Sequence, residues 1–435
     1  MLERLSLCNT NTNNMNRIII AGNGFDLAHG LKTKYEDFIN WYWDKWGQRL
    51  RSCGVKSISD ELCSFVLKDE VELAGWYLVW SYYYGVYPAN LTDRQLLEQA
   101  KKDDKVCDYK MHSTFFSKIC NSIETKGWVD IEADYYTMLT ECKGDKVKLV
   151  RLNNDFAFIQ NLLIEYLLSA QIKDIDNTYL KLISACLFAP FQAKDISVKA
   201  NDKWIDFLKR RLGDSDLIDN IELYKPYDAK ERVKKVYEFK NAYKEQIEFT
   251  GVESIDGDVL PHDMLYPDRI MLLNFNYTNT ADFYFPDHSS FILNNIHGKL
   301  TKPENVIFGY GDELDSSFKK LQDMNDNECM RHIKSIRYLE SDNYRRMLEF
   351  VESGPFQVVI MGHSCGLSDR TMLNTLFEHE NCVSIKPYYY VNDEGKDNYL
   401  DIVQNISRNF TNPQLMRDRV VNKTFCEPLP QLNKE

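Results

Sequence analysis

Arg17-Ile18-Ile19-Ile20-Ala21-Gly22-Asn23-Gly24-Phe25-Asp26-Leu27-Ala28-His29-Gly30 decides how this chain is read. Three consecutive isoleucines suit a short central parallel strand that is apolar on both faces. Gly22 and Gly24 carry no β-carbon, so the backbone there can turn sharply and approach something closely. The helix that follows would aim free N–H groups at an anion, typically a phosphate. The spacing departs from G-x-G-x-x-G, because the third glycine comes six residues after the second. A tight strand-to-helix turn that binds nothing would show the same residues.

The rest of the composition narrows the setting. The chain has 435 residues, 44% hydrophobic and 27% charged, as in globular proteins with room for two or three domains. No apolar run reaches the roughly 18 residues a membrane helix needs. The polar, asparagine-rich stretch 1–16 reads as a leader, neither a signal peptide nor a presequence, and a cytoplasmic location is expected. Lysine and arginine total 53 against 65 acidic residues, a net charge of −12. That balance disfavours non-specific nucleic-acid binding, which relies on basic patches. The eleven cysteines include no C-x-x-C pair, which argues against structural zinc and against a disulfide framework. Free thiols are expected, and no metal.

Along the chain, residues 1–46 are expected to hold the first strand and helix of an α/β core. Residues 47–251 are expected to be a helical insertion, and 252–435 the remainder of the core. Trp41, Tyr42, Trp43 and Trp46 read as core aromatics of a helix. Asp155 to Leu168 is the clearest amphipathic helix, and Lys230 to Phe249 a second with a charged, solvated face. Strand-like runs return at 269–275, 291–296, 305–309, 356–362 and 382–390. Short apolar strands alternating with helices predict a Rossmann-like parallel sheet carrying a large α-helical insertion after its first strand.

In such a sheet, ligands sit at the carboxyl ends of the strands. Four polar loops fall there: Gly22 to Asp26, Asn274 to Asn279, His297-Gly298, and Gly362 to Asp369. Each alone could be ordinary turn chemistry, but four at one edge point to a shared site.

The motif Gly-Asn-Gly-Phe-Asp-Leu-Ala-His-Gly-Leu, with Thr33, Tyr35, Asp37 and Phe38, closely resembles the bacterial AbiH phage abortive-infection family. Trp128-Val129-Asp130-Ile131-Glu132, Asn274 to Thr278, Ile296-His297-Gly298, and Gly362-His363-Ser364 with Asp369 fit the same resemblance in order, from residue 17 to about 380. AbiH proteins in turn look like distant relatives of the sirtuin-like NAD-consuming domains of antiviral defence. The resemblance implies NAD as substrate or ligand, with Asn276 and His297 catalytic. It implies cofactor contacts at Gly22, Asn23, Gly24, Phe25, Asp26, Tyr277, Gly362, His363, Ser364 and Asp369. A phage-derived trigger and a homo-oligomer are the further partners it leaves open, with no membrane and no nucleic acid.

Those residue types suit cleavage of the nicotinamide–ribose bond, which builds oxocarbenium-like charge on the ribose. An Asn carboxamide can orient hydroxyls and water, and a neutral His can accept a proton near pH 7. Thr278 departs from the sirtuin-like pattern, which places Asp after Asn-Tyr, and no cysteine quartet follows His297, so deacetylation is rejected. Asn23 and Asp26 are bulkier and more polar than that pattern's phosphate loop. Glu132 and Asp130, two residues apart, are not expected to reach a cleft together. His29 and His363 border cleft loops, and Cys365 has no nucleophile's partners. The competing readings are a non-catalytic nucleotide-binding sensor or scaffold of a defence system and, third, a toxin acting on tRNA.

Overall fold

The computed structural model describes residues 14–51, 57–68, 91–102, 104, 107–126, 130–142, 144–213, 224, 228–285 and 288–432. Eight strands occur among them: β1 (Asn16–Ala21), β2 (Ser57–Ser59), β3 (Cys63–Leu67), β4 (Cys107–Met111), β5 (Ile270–Asn274), β6 (Phe291–Asn295), β7 (Phe356–Met361) and β8 (Cys382–Tyr388). Five form one sheet in the order β6-β5-β1-β7-β8, parallel throughout. Ile19 of β1 lies opposite Leu272 of β5 and Val359 of β7.

Every residue of β1 and β7 is buried, because helices cover both faces of the sheet. Ile18, Ile20, Met271, Leu273, Val358 and Ile360 pack on helices Asn343–Glu352, Arg370–Phe377 and Tyr399–Asn409. The alternate residues Ile19, Ala21, Ile270, Leu272, Val359 and Met361 pack on helix Asn177–Leu187 and its neighbours. The α/β expectation is thus met, with the three-layer arrangement the isoleucine run required.

The insertion departs from an all-helical reading. β2, β3 and β4 form a small antiparallel sheet inside it. The helix holding residue 47 runs unbroken from Tyr35 to Arg51, its Tyr42, Trp43 and Trp46 buried as expected. Helix Lys146–Ser169 contains the amphipathic stretch, whereas 230–249 is broken at Tyr243 into Ala229–Ala242 and Lys244–Thr250. The core of this region also takes in Leu300, Phe308, Tyr310, Leu321 and Cys329 from the connection between β6 and β7. The end of the expected leader is ordered: Met15 is buried and Asn16 opens β1.

The run 305–309 is not a strand. Val306 to Gly309 are buried and Asn305 is exposed, and the backbone groups are met one at a time: Val306 O accepts from Gln160, Ile307 O from the Tyr277 hydroxyl, and Gly309 N–H donates to Glu132. Apolar burial without a neighbouring ladder gave it a strand's pattern.

Strand order reverses between β1 and β7, so their carboxyl ends flank the crevice where ligands bind in open α/β sheets. The two turns there interlock. Gly24 N–H donates to Gly362 O at 2.7 Å, and Gly22 N–H to Met361 O at 3.2 Å. A β-carbon on Gly362 (φ +73°) would stand 2.1 Å from Phe25 N and 2.3 Å from Gly24 C. Gly395 has a similar φ of +77° with nothing within 4 Å. Gly395→Ala should therefore cost only the left-handed backbone strain, about 1 kcal/mol. Gly362→Ala should cost more than about 3 kcal/mol, since two backbones must part. Urea unfolding of the two variants checks this, and equal losses would refute it.

Candidate functional site

A cavity of about 440 Å³ opens at this switch point. The sheet edge supplies Gly22, Asn23, Gly24, Asp26, Phe275, Asn276, Tyr277, Thr278, His297, Gly362, His363, Ser364, Ser368 and Asp369. Tyr35 comes from the segment just before the insertion, the insertion supplies Asp130, Glu132, Leu163 and Leu167, and Lys334 closes the ring. Residues read from four separate loops thus border one space.

Asn276 is tied to the glycine turn. Its Nδ2 donates to Gly22 O at 2.9 Å, and its own N–H donates to Asn274 Oδ1 at 3.2 Å. Asp26 is 1% exposed, with Oδ2 accepting from the Thr278 hydroxyl at 2.6 Å and Oδ1 without a hydrogen-bond partner among the described residues. Burial pushes the Asp26 carboxyl up to about 6.

At the other wall a single carboxylate gathers three groups. Asp369 accepts from Lys334 Nζ at 2.8 Å and lies 3.4 Å from His297 Nε2 and 3.5 Å from His363 Nε2. Cys365 N–H donates to His363 Nδ1 at 3.0 Å, which assigns the proton of that ring to Nε2, facing Asp369. The same carboxylate favours Nε2–H on His297, leaving Nδ1 as its acceptor. Burial, then the Lys334 ammonium, hold His297 below the ordinary histidine range, so it is neutral at pH 7. Burial alone would raise Asp369, but Lys334 and the two imidazoles outweigh it and hold it well below the carboxylate range.

Lys334 is 1% exposed and also donates to Glu132 Oε2 at 2.9 Å, while Gly309 N–H meets Glu132 Oε1. Burial raises Glu132 to about 7 despite the lysine. Asp130 also borders the cavity, contrary to the expectation that at most one of the pair would. It is the N-cap of helix Ile131–Glu141, in extended backbone, so the helical angle between i and i+2 does not separate them. Trp128 and Val129 lie outside the described residues.

Phe25 and His29 fall elsewhere. The Phe25 side chain points away from the cavity into the core, against His29 and Tyr284. His29 bonds to Phe25 O and the Tyr284 hydroxyl and holds that packing rather than a cleft. Asn23 and Ser364 are exposed at the rim, Asn23 accepting from Thr33. Cys365 is buried at φ +54°, and burial raises its thiol, so it offers no thiolate. Lys334 was not legible in the sequence: it stands in the four-residue helix Lys334–Arg337, outside any strand-end loop. Among the described residues no cluster of His, Cys, Asp or Glu could hold a metal, and no helix is long and apolar enough to cross a membrane.

The sequence model of the bacteriophage abortive infection AbiH family matches residues 18–390. The chain belongs to that family. No curated protein and no solved structure matches it. Every wall of the cavity in this AbiH chain, from Gly22 to Asp369, lies within the matched span.

Two outcomes follow for this AbiH site. Asp26 is strained as a carboxylate above pH 6 but not below about 4, because its folded pKa exceeds the ordinary 3.8. Asp26→Asn should therefore stabilise the fold at pH 8 by roughly 2–3 kcal/mol, the gain shrinking toward pH 4, as urea titrations would read. Nitrogen-15 NMR of the imidazoles at pH 7 should find His297 neutral with its proton on Nε2. Asp369→Asn should shift it toward the other tautomer, and a wild-type proton on Nδ1 would contradict the assignment.

Proposed function

We propose that this protein is an abortive-infection effector that hydrolyses the nicotinamide–ribose bond of NAD in this cavity. The observation that carries the reading is convergence: Asn276 and the glycine turn, 254 residues apart, are hydrogen-bonded, and His297 borders the same space. In the reaction, water adds to the ribose C1′ as the bond to the nicotinamide nitrogen breaks and its electron pair leaves on a neutral ring. His297 takes the proton from the water, since it is held neutral. The carboxylates of the cavity wall favour the positive charge that grows on the ribose. The acid that Thr278 lacks is supplied from the first helix, because the Thr278 hydroxyl donates to Asp26.

A second reading, a non-catalytic nucleotide-binding sensor, draws support from one feature: the Asn276 amide already braces Gly22 O. A phage-derived trigger and self-assembly belong to either reading. Incubating the full chain with NAD, with and without phage lysate, should release nicotinamide. His297→Ala and Asn276→Ala should lower the rate by about 10²–10⁴-fold. Turnover that survives both would exclude these roles, and saturable NAD binding without any release would favour the sensor.

A further inference from the structure

We infer that the cavity takes a hydroxyl-bearing nucleoside with a cationic base, and that the ligand's phosphates stay outside it. For the NAD reading, on which the choice of nucleoside rests, the nicotinamide riboside half sits inside and the pyrophosphate lies beyond the rim.

The first ground is the glycine turn. A phosphate cradle needs free N–H groups, yet Gly22 N–H is bonded to Met361 O, Gly24 N–H to Gly362 O and Phe25 N–H to Gly22 O. The approach that the missing β-carbons allow is already taken by this chain. A β-carbon on Gly22 would meet His363 at 2.6 Å, and one on Gly24 would meet Gly362 O at 2.7 Å.

The second ground is charge. Among the described residues the wall carries Asp26, Asp130, Glu132 and Asp369 against one cation, Lys334, and no arginine. The lysine is bound between Glu132 and Asp369, so its charge is already balanced. A dianionic phosphate would enter a space with no uncommitted cation among the described residues. A positively charged ring would meet the opposite.

The third ground is an acceptor without a donor. Asp26 borders the cavity, and its buried Oδ1 has no hydrogen-bond partner among the described residues. Such an atom suits a ligand O–H or N–H and opposes a phosphate oxygen. Burial also raises Asp26 and Glu132, a strain that a nearby cation relieves and an anion worsens.

Calorimetry on the full chain tests this with nicotinamide riboside, its neutral dihydro form, ADP and NAD, while nicotinamide release is measured on the same mixtures. The riboside should bind within tenfold of NAD, resist displacement by millimolar ADP, and exceed its neutral form about tenfold. Glu132→Gln should reduce that cation preference. Riboside and NAD both bound but neither cleaved would refute the hydrolase reading and leave this inference standing. NAD cleaved while the riboside fails to bind, or ADP displacing the riboside, would overturn the inference alone. No preference for the cationic form would also overturn it.

Discussion

The peptide N–H of Gly24 donates to the carbonyl of Gly362 across 2.7 Å, and no side chain at either position would leave that contact intact. This bond joins the turns after β1 and β7, the strands on either side of the reversal in sheet order. Asn276 adds the loop after β5 by donating to Gly22 O. Three strand ends are thereby held by backbone acceptors before anything enters the cavity. Positions set in this way need no ordering on binding, which is the main advantage of a preorganised site.

A different kind of constraint holds the opposite wall. Lys334, Glu132 and Asp369 are all largely removed from water, and bringing charges there costs free energy that their attraction only partly returns. Such a network is poor evidence for stability. Its geometric effect is clearer: Asp369 faces the Nε2 atoms of two histidines, and Lys334 joins that carboxylate to a glutamate from the insertion. The insertion is therefore part of the site and not an appendage to the sheet.

Much of this was open to a reader of residues, for an identifiable reason. β1, β5, β7 and β8 are short apolar runs because both faces of the sheet are covered, and polar loops follow them because backbone must turn at a water-facing edge. Where reading failed, local pattern and local structure came apart. Residues 306–309 are buried without belonging to a strand, with side chains meeting several of their backbone groups. β2, β3 and β4 are three to five residues long and mix serine, cysteine and charge, so their alternation was too brief to register.

By itself, the sequence determined the parallel α/β core, the glycine turn at its first strand and the loops that end at its carboxyl edge. These follow from periodicity and from the absence of a β-carbon, properties that each segment carries alone. Only the tertiary structure decided what those pieces do to one another. It placed Gly362 where the turn's N–H groups would otherwise face an anion, turned Phe25 and His29 into the core, and set Lys334 between Glu132 and Asp369. Those relations depend on which distant groups share a space from which water is excluded, and that is set by packing across hundreds of residues.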